Sequence, residues 1–418
     1  MVTRDLDLVL YGATGFVGTL TARHLAGRAA GVRVALAGRS RERLQELRQD
    51  LGEVARDWEV VEVDAGDTDG LLALARRTTV LATTVGPYGV HGKAVARACA
   101  HAGTHYADLT GEILFVRWSV HELAPIAEAS GARVVHACGY DSVPSDLGVM
   151  LLAQRVSSDG AGTLGDTLLA VKAAKGGFSG GTVDSARQQA IVARQDPAAR
   201  RVLGDPHALS PRRDQEPRSR SHRLGGAVGL LRRLVPVDRD PETGRWHGPF
   251  VMAGFNTRIV RLSNTLTEWS YGRDFRYREV VDFGSGPLSP LLAGGMAVGL
   301  ASGLTGLSWG PTRAVLDRFL PKPGEGPSAA RMAEGHFAME IRTTTSTGAK
   351  YVARVSAPYD PGYTGTAVML GESALALLQD GHRLPGRAGV LTPATALGDV
   401  LVARLREQGF TLEVERLS

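Results

Sequence analysis

The stretch Asp7 to Gly18, DLVLYGATGFVG, constrains this chain more than any other. Leu8, Val9, Leu10 and Tyr11 form a short apolar run of strand-like composition. Gly12-x-x-Gly15-x-x-Gly18 follows at once and opens a segment with helical apolar spacing through Phe16, Val17, Leu20, His24 and Leu25. The order strand, tight turn, helix explains the recurring glycine. Gly12 and Gly15 let the backbone turn sharply and approach a pyrophosphate, Gly18 lets the helix pack on the strand, and the unbonded N–H groups at the helix start attract phosphate. A glycine-rich turn of some other α/β protein would carry no such meaning, but here a second strand, Val32 to Ala37, follows at the distance a βαβ unit requires. The motif predicts the first βαβ turn of a dinucleotide-binding domain, with Gly12, Thr14, Gly15, Phe16, Val17 and Gly18 against the cofactor.

The end of the second strand selects the nucleotide. NAD-preferring sites place Asp or Glu there, whereas this chain has Gly38-Arg39-Ser40, with Arg43 one helical turn on. A guanidinium and a hydroxyl suit a 2′-phosphate, each charge-assisted bond contributing roughly 1.5–3 kcal/mol. NADP(H) is therefore expected over NAD(H), with Arg39 as a solvated helix-start residue the plainer alternative.

Val60 to Val63 reads as a third strand ending in Asp64-Ala65, where a doubly wound sheet would meet the adenine. Val80 to Val85 reads as a fourth, running into Gly86-Pro87-Tyr88-Gly89. Ligands of open α/β sheets sit at the carboxyl ends of the strands. Val85, Gly86 and Pro87 are thus expected beside the nicotinamide half, and a loop from Gly86 to His91 offers Tyr88 and His91 for chemistry. Tyr88 covering an apolar face of the cofactor is the alternative. Thr104 to Leu109 and Arg133 to Ala137 are two further strands, with a helix over Val120 to Ala129 between them. Their ends bring Asp108, Glu112, Tyr140 and Asp141 to the same edge, and convergent polar groups at strand ends are the form a site takes. Asp146 reads as a cap for a helix over Leu147 to Leu152.

With 43% hydrophobic and 22% charged residues, the chain has the composition of a globular protein long enough for two domains. The net charge of +5 rests almost wholly on arginine. The basic residues lack interleaved aromatics, which disfavours a nucleic-acid partner. Cys99 and Cys138 suggest neither a disulfide framework nor a thiolate metal site, so no metal is expected and a reducing cytoplasm fits. The first strand begins too early to leave room for a signal peptide.

From about Gly160 the pattern changes. Thr167 to Ala173 has strand character, Gly176 to Gly181 reads as a turn, and Thr182 opens a helix to about Arg194. Asp196 to Trp246 is rich in Pro, Gly and Arg, and Arg212 to Arg223 reads either as a solvated loop or as a docking patch for an acidic partner. Val251 to Arg261, Tyr271 to Asp282, His336 to Thr345 and Tyr351 to Val355 alternate in strand fashion, predicting a mainly antiparallel sheet with one face covered. Phe283 to Thr312 carries no charge and reads as a buried or lid segment, a lipid-contacting helix or, least in keeping with its glycines, a membrane span. Thr366 to Gln379 has helical spacing, Thr392-Pro393 starts another helix running to about Gly409, and Thr411 to Glu415 alternates.

YGATGFVG (11–18), LAGRS (36–40), VGPYGVHG (85–92), HYADLTGE (105–112), CGYDSVPSDLG (138–148) and GVLTPATALGDVLVARL (389–405) together resemble the saccharopine dehydrogenase-like oxidoreductases, most closely their trans-acting enoyl reductase subgroup. The resemblance spans essentially the full length. It implies a Rossmann domain over 1–145, a substrate domain of α+β type over 146–365, and C-terminal helices over 366–418 that return to the first domain. It implies NADPH-dependent reduction of an α,β-unsaturated acyl or polyketide chain in lipid or glycolipid synthesis, in partnership with an acyl carrier protein or polyketide synthase. Tyr88 and Tyr140 are then candidate proton donors with His91 behind them, and Glu112 and Asp141 candidate substrate contacts. A saccharopine-type amino-acid or imine dehydrogenase is the rival reading, and a nucleotide-binding lipid-associated protein without turnover a third. The expected location is the cytoplasm, with peripheral contact on the inner face of the plasma membrane as a variant.

Overall fold

The computed structural model describes residues 4–176, 180–216, 237–308 and 326–417. The first seven-stranded sheet is wholly parallel, in the order β3-β2-β1-β4-β5-β6-β13. Its strands are β1 (Leu6–Tyr11), β2 (Val34–Gly38), β3 (Glu59–Glu62), β4 (Thr78–Thr83), β5 (His105–Asp108), β6 (Arg133–Val135) and β13 (Gly389–Leu391). Leu8, Val9 and Leu10 are completely buried, because helices cover both faces of a parallel sheet and its central strands read as unbroken apolar runs.

The second sheet runs β14-β12-β11-β7-β10-β9-β8. It comprises β7 (Leu164–Lys175), β8 (Asp238–Arg239), β9 (Trp246–Pro249), β10 (Arg276–Asp282), β11 (His336–Thr345), β12 (Lys350–Ala357) and β14 (Thr411–Leu417). Every neighbouring pair is antiparallel except β7 with β10. Phe337, Met339, Ile341 and Thr343 of β11 point inward at period two. Helix Val143–Ser158 lies on that face so closely that a Cβ at Gly148 would stand 2.4 Å from the Ile341 Cδ1.

The chain then returns to both sheets. Helix Thr366–Gln379 is buried along almost its whole length and packs on β4, β5 and helix Phe16–Arg28. β13 extends the parallel sheet beside β6, and β14 extends the second sheet beside β12. Asp146 fastens this return. Its carboxylate accepts from Ser263 Oγ at 2.5 Å and from the Ala394 N–H at 2.8 Å. It therefore caps helix Pro393–Ala396 and not its own.

Four sequence expectations change. Val251 to Arg261 is not a strand but part of helix Ala253–Leu266, whose buried Phe255, Ile259 and Leu262 recur at helical intervals. Gly86 to His91 is not all loop, since helix Tyr88–Ala102 begins inside it. Val120 to Ala129 is divided between helices Ile113–Glu122 and Ala124–Ser130, where Pro125 sits in the first turn of the second. The helix expected from Pro393 breaks at Leu397, where Gly398 takes φ +52° and helix Gly398–Glu407 follows. Within the arginine-rich stretch Pro197–Gly204 is helical; Arg218, Arg220 and Arg223 lie outside the described residues. Ser289–Ser308 is a helix of the apolar segment, and no helix among the described residues is long and apolar enough to cross a membrane.

Candidate functional site

The carboxyl ends of β1, β2 and β4 meet at the glycine turn. Gly12 takes φ +85°, and a Cβ there would stand 2.6 Å from the Val85 Cγ2; a Cβ at Gly18 would stand 2.2 Å from the Gly12 carbonyl oxygen. Thr84 at the end of β4 bonds Tyr11 O through its N–H and Gly12 O through its hydroxyl, each at 3.0 Å. Side chains at these glycines would force these strand ends apart. Helix Phe16–Arg28 starts at Gly15 with no side-chain cap and no acid in its first turn. Its leading N–H groups, from Phe16, Val17 and Gly18, have no intrahelical acceptor, the arrangement that suits phosphate.

Arg39 stands exposed at the end of β2 with no hydrogen bond or ion pair among the described residues. Ser40 caps helix Arg41–Asp50 by accepting from the Arg43 N–H at 3.4 Å, and Arg43 Nη2 donates to Thr14 O at 3.0 Å. Thr14, Ser40 and Arg43 are thus joined in one chain of hydrogen bonds beside Arg39, which follows directly on β2. Asp64 and Ala65 follow β3 as expected, Asp64 turning back to accept from the Gly66 N–H at 2.9 Å. Val85, Gly86 and Pro87 lead from β4 into helix Tyr88–Ala102.

The remaining expected residues separate into two groups. The Tyr88 hydroxyl donates to Thr83 O and accepts from the Leu109 N–H, each at 3.2 Å, inside the first domain. Its proton is held in that bond, and its ring lies 5.7 Å from Phe115. The Glu112 carboxylate accepts from the Tyr88 and Gly89 N–H groups at 2.7 and 2.8 Å, capping that helix, and from Ser185 Oγ at 2.8 Å. Burial raises its pKa, and these three donors oppose the shift. Gln189, on the same helix Gly180–Gln195 as Ser185, bonds Gly111 O and the Ile113 N–H. Asp108 is fully buried against His136 Nδ1 at 2.7 Å, and His136 Nε2 meets Ser119 Oγ at 2.8 Å. That trio braces β5 to β6 out of reach of solvent. His91 lies exposed on the first full turn of its helix.

Tyr140 and Asp141 form the other group, where the first sheet faces the second. The Tyr140 N–H donates to Thr366 Oγ1 at 3.1 Å, and its ring meets Phe337 of β11 edge-on at 4.9 Å. Its buried hydroxyl has no hydrogen-bond partner among the described residues. Burial, with the charges of Asp141, Glu279 and Asp360, raises its pKa far above the ordinary tyrosine value, so the proton stays on the oxygen. Burial alone lifts Asp141 to about 6. Glu279, lifted by burial to about 7, accepts from the Tyr277 hydroxyl at 2.9 Å and Asn256 Nδ2 at 3.0 Å, while Ser142 Oγ donates to Asn256 Oδ1 at 3.2 Å. The arrangement presents a protonated hydroxyl and two carboxyl groups that titrate near neutrality. Glu279 escaped the sequence reading, although a carboxylate at an inward position of an alternating strand was the available signal.

The family described as saccharopine dehydrogenase NADP binding domain matches residues 8–135. A Mycobacterium tuberculosis protein provisionally named a trans-acting enoyl reductase is 48% identical over 425 residues, covering 99% of each chain. Proteins named trans-acting enoyl reductase from Mycobacterium bovis and Mycobacterium ulcerans are 46% identical over 421 residues and 45% over 420, again covering 99% of each. Apo saccharopine dehydrogenase (L-Glu forming) from Saccharomyces cerevisiae superposes with TM-score 0.55 at 13% identity, covering 99% of this chain and 100% of that one, a likeness of fold.

Proposed function

The chain belongs to the trans-acting enoyl reductases of the saccharopine dehydrogenase-like family, and on that premise we propose that it reduces the α,β-double bond of an unsaturated acyl or polyketide thioester at the expense of NADPH, in lipid or glycolipid synthesis. The observation that carries this reading is the full-length identity to relatives so named. NADPH, when bound, supplies hydride to the β-carbon. The first-domain residues fit such a group: a close glycine turn, an uncapped helix start, and Arg39 free to meet a 2′-phosphate. That guanidinium is the ground for preferring NADPH to NADH.

Hydride addition leaves an enolate whose oxygen needs a donor and whose α-carbon needs a proton. Tyr140 is the residue we assign to that work, because its hydroxyl is protonated, buried and uncommitted among the described residues. We assign Asp141 and Glu279, whose charges act on that hydroxyl, to return a proton to it. Tyr88 and Glu112 act as braces for the helix start beside the nicotinamide. The acyl chain arrives on an acyl carrier protein or polyketide synthase. A second reading of location, peripheral contact with a membrane, is favoured by the exposed Leu288, Leu291, Leu292, Met296 and Val298 of the uncharged segment.

The test supplies purified protein with NADPH and trans-2-enoyl thioesters of increasing chain length and follows both cofactor oxidation and product mass. Oxidation with a saturated acyl product is the expected result. Oxidation only with a keto acid and an amino acid would move the reading to an imine or amino-acid dehydrogenase. NADPH binding without oxidation would leave the non-catalytic reading.

A further inference from the structure

Resting on the reading that the substrate arrives carrier-borne, we propose that the carrier's acidic surface docks on the outer face formed by helices Tyr88–Ala102, Ile113–Glu122 and Pro197–Gly204, centred on Trp118. The charge balance of these helices is the first ground. They contain Lys93, Arg97, Arg117, Arg200 and Arg201 against one acid, Glu122, in a chain whose 48 basic residues are otherwise nearly matched by 43 acidic ones. Among the described residues none of the five cations makes an ion pair, and four are exposed; Arg117 spends Nη1 on Ala208 O at 2.6 Å. The acids flanking the shortest helix are engaged elsewhere, Asp196 capping Ala198 N–H and Asp205 pairing with Arg213.

Trp118 is the second ground. The Lys93 Nζ lies 5.3 Å and the Arg97 guanidinium 5.5 Å from the centroid of its ring, and the ring stacks on buried Phe115. The two cations are thereby held over one half-exposed aromatic plane. Arg and Trp are the residues on which interface energy concentrates. Val90, 61% exposed, continues the face toward the strand ends. From Tyr88 to Arg97 the helix climbs about 14 Å, so a partner seated on Trp118 rests roughly that far along the helix from its start at Tyr88, which follows Gly86 and Pro87 at the end of β4. The arginine-rich stretch is a poorer candidate in its described part, since Arg212 pairs with Glu268 at 2.6 Å and Arg213 with Asp205 at 2.7 Å. Complementary charge steers encounter and sets salt dependence.

The test uses an acyl carrier protein bearing a trans-2-enoyl chain on its pantetheine arm, and the same chain as an N-acetylcysteamine thioester. In the double variant Lys93→Glu/Arg97→Glu, KM for the carrier-borne chain is expected to rise at least tenfold, while kcat, the small thioester and NADPH binding stay unchanged. An unchanged KM, or an equal loss on both substrates, overturns the proposal. Fluorescence anisotropy of the carrier protein alone separates this from the enzymatic reading, because it needs no turnover. Binding by wild type that is lost in the double variant supports docking even if neither substrate is reduced; equal binding by both, or wild-type binding only to phosphatidylglycerol vesicles, overturns it.

Discussion

At the scale of residues, a guanidinium like that of Arg39, with no bond among the described residues, is worth most when its ligand brings the charge. Arg39→Ala removes that partner without touching the fold, so NADPH affinity should fall about 10- to 100-fold, the equivalent of one charge-assisted bond, while NADH affinity stays put. Fluorescence titration with both nucleotides reads the difference. The two tyrosines separate in the same way. Tyr140→Phe removes a hydroxyl with no bond to lose among the described residues, so stability holds and single-turnover reduction falls about 100-fold or more. Tyr88→Phe breaks bonds to Thr83 and Leu109, costing about 1–3 kcal/mol in urea unfolding with the rate of the chemical step little changed. A Tyr140→Phe enzyme of full rate would remove that residue from the mechanism. The glycine turn was legible in the sequence because backbone sterics leave few residues that fit it. The role of Glu112 was not, since its partners are backbone amides more than twenty residues away whose direction depends on where a helix starts.

Elements are read through periodicity, and periodicity fails where burial is complete. Val251 to Arg261 looked strand-like because its helix is buried on several sides and shows no clean polar face. Helix Ser289–Ser308 has the opposite character. Ala293 and Ala297 form its buried seam, while Leu291 is 73% and Leu292 56% exposed, with no charge to solvate them. A helix that shows leucine to water is a candidate for a lipid surface. Leu291→Gln/Leu292→Gln should abolish cosedimentation with anionic liposomes and leave NADPH binding intact; sedimentation equal to wild type would assign the face another role.

The whole molecule is held together by polar ties that span sequence. Asp146 joins three helices from separate regions, and burial lifts its pKa to about 6, against the opposing bonds from Ser263, Ala394 and Thr392. A raised acid favours the folded state most below the unfolded value near 4 and loses that advantage as pH climbs to about 6. Asp146→Asn has no such titration. Relative to the variant, wild type should therefore lose up to about 3 kcal/mol between pH 4 and pH 7, roughly two units at 1.36 kcal/mol each. Urea midpoints across that range check it, and a constant difference would refute the assignment. The Rossmann order and the second sheet were legible from strand patterns, but the pairings that lock them, β13 on β6 and β14 on β12, join distant segments that no local pattern announces. These two strands leave the ribosome after every other strand of both sheets. Until then β6 and β12 stand as the outermost strands at their ends of the two sheets, with their pairing groups unmatched. A chain cut short of Gly389 therefore loses the outermost strand of both sheets at once, so one truncation near the end of the sequence weakens two layers built mostly from its earlier part.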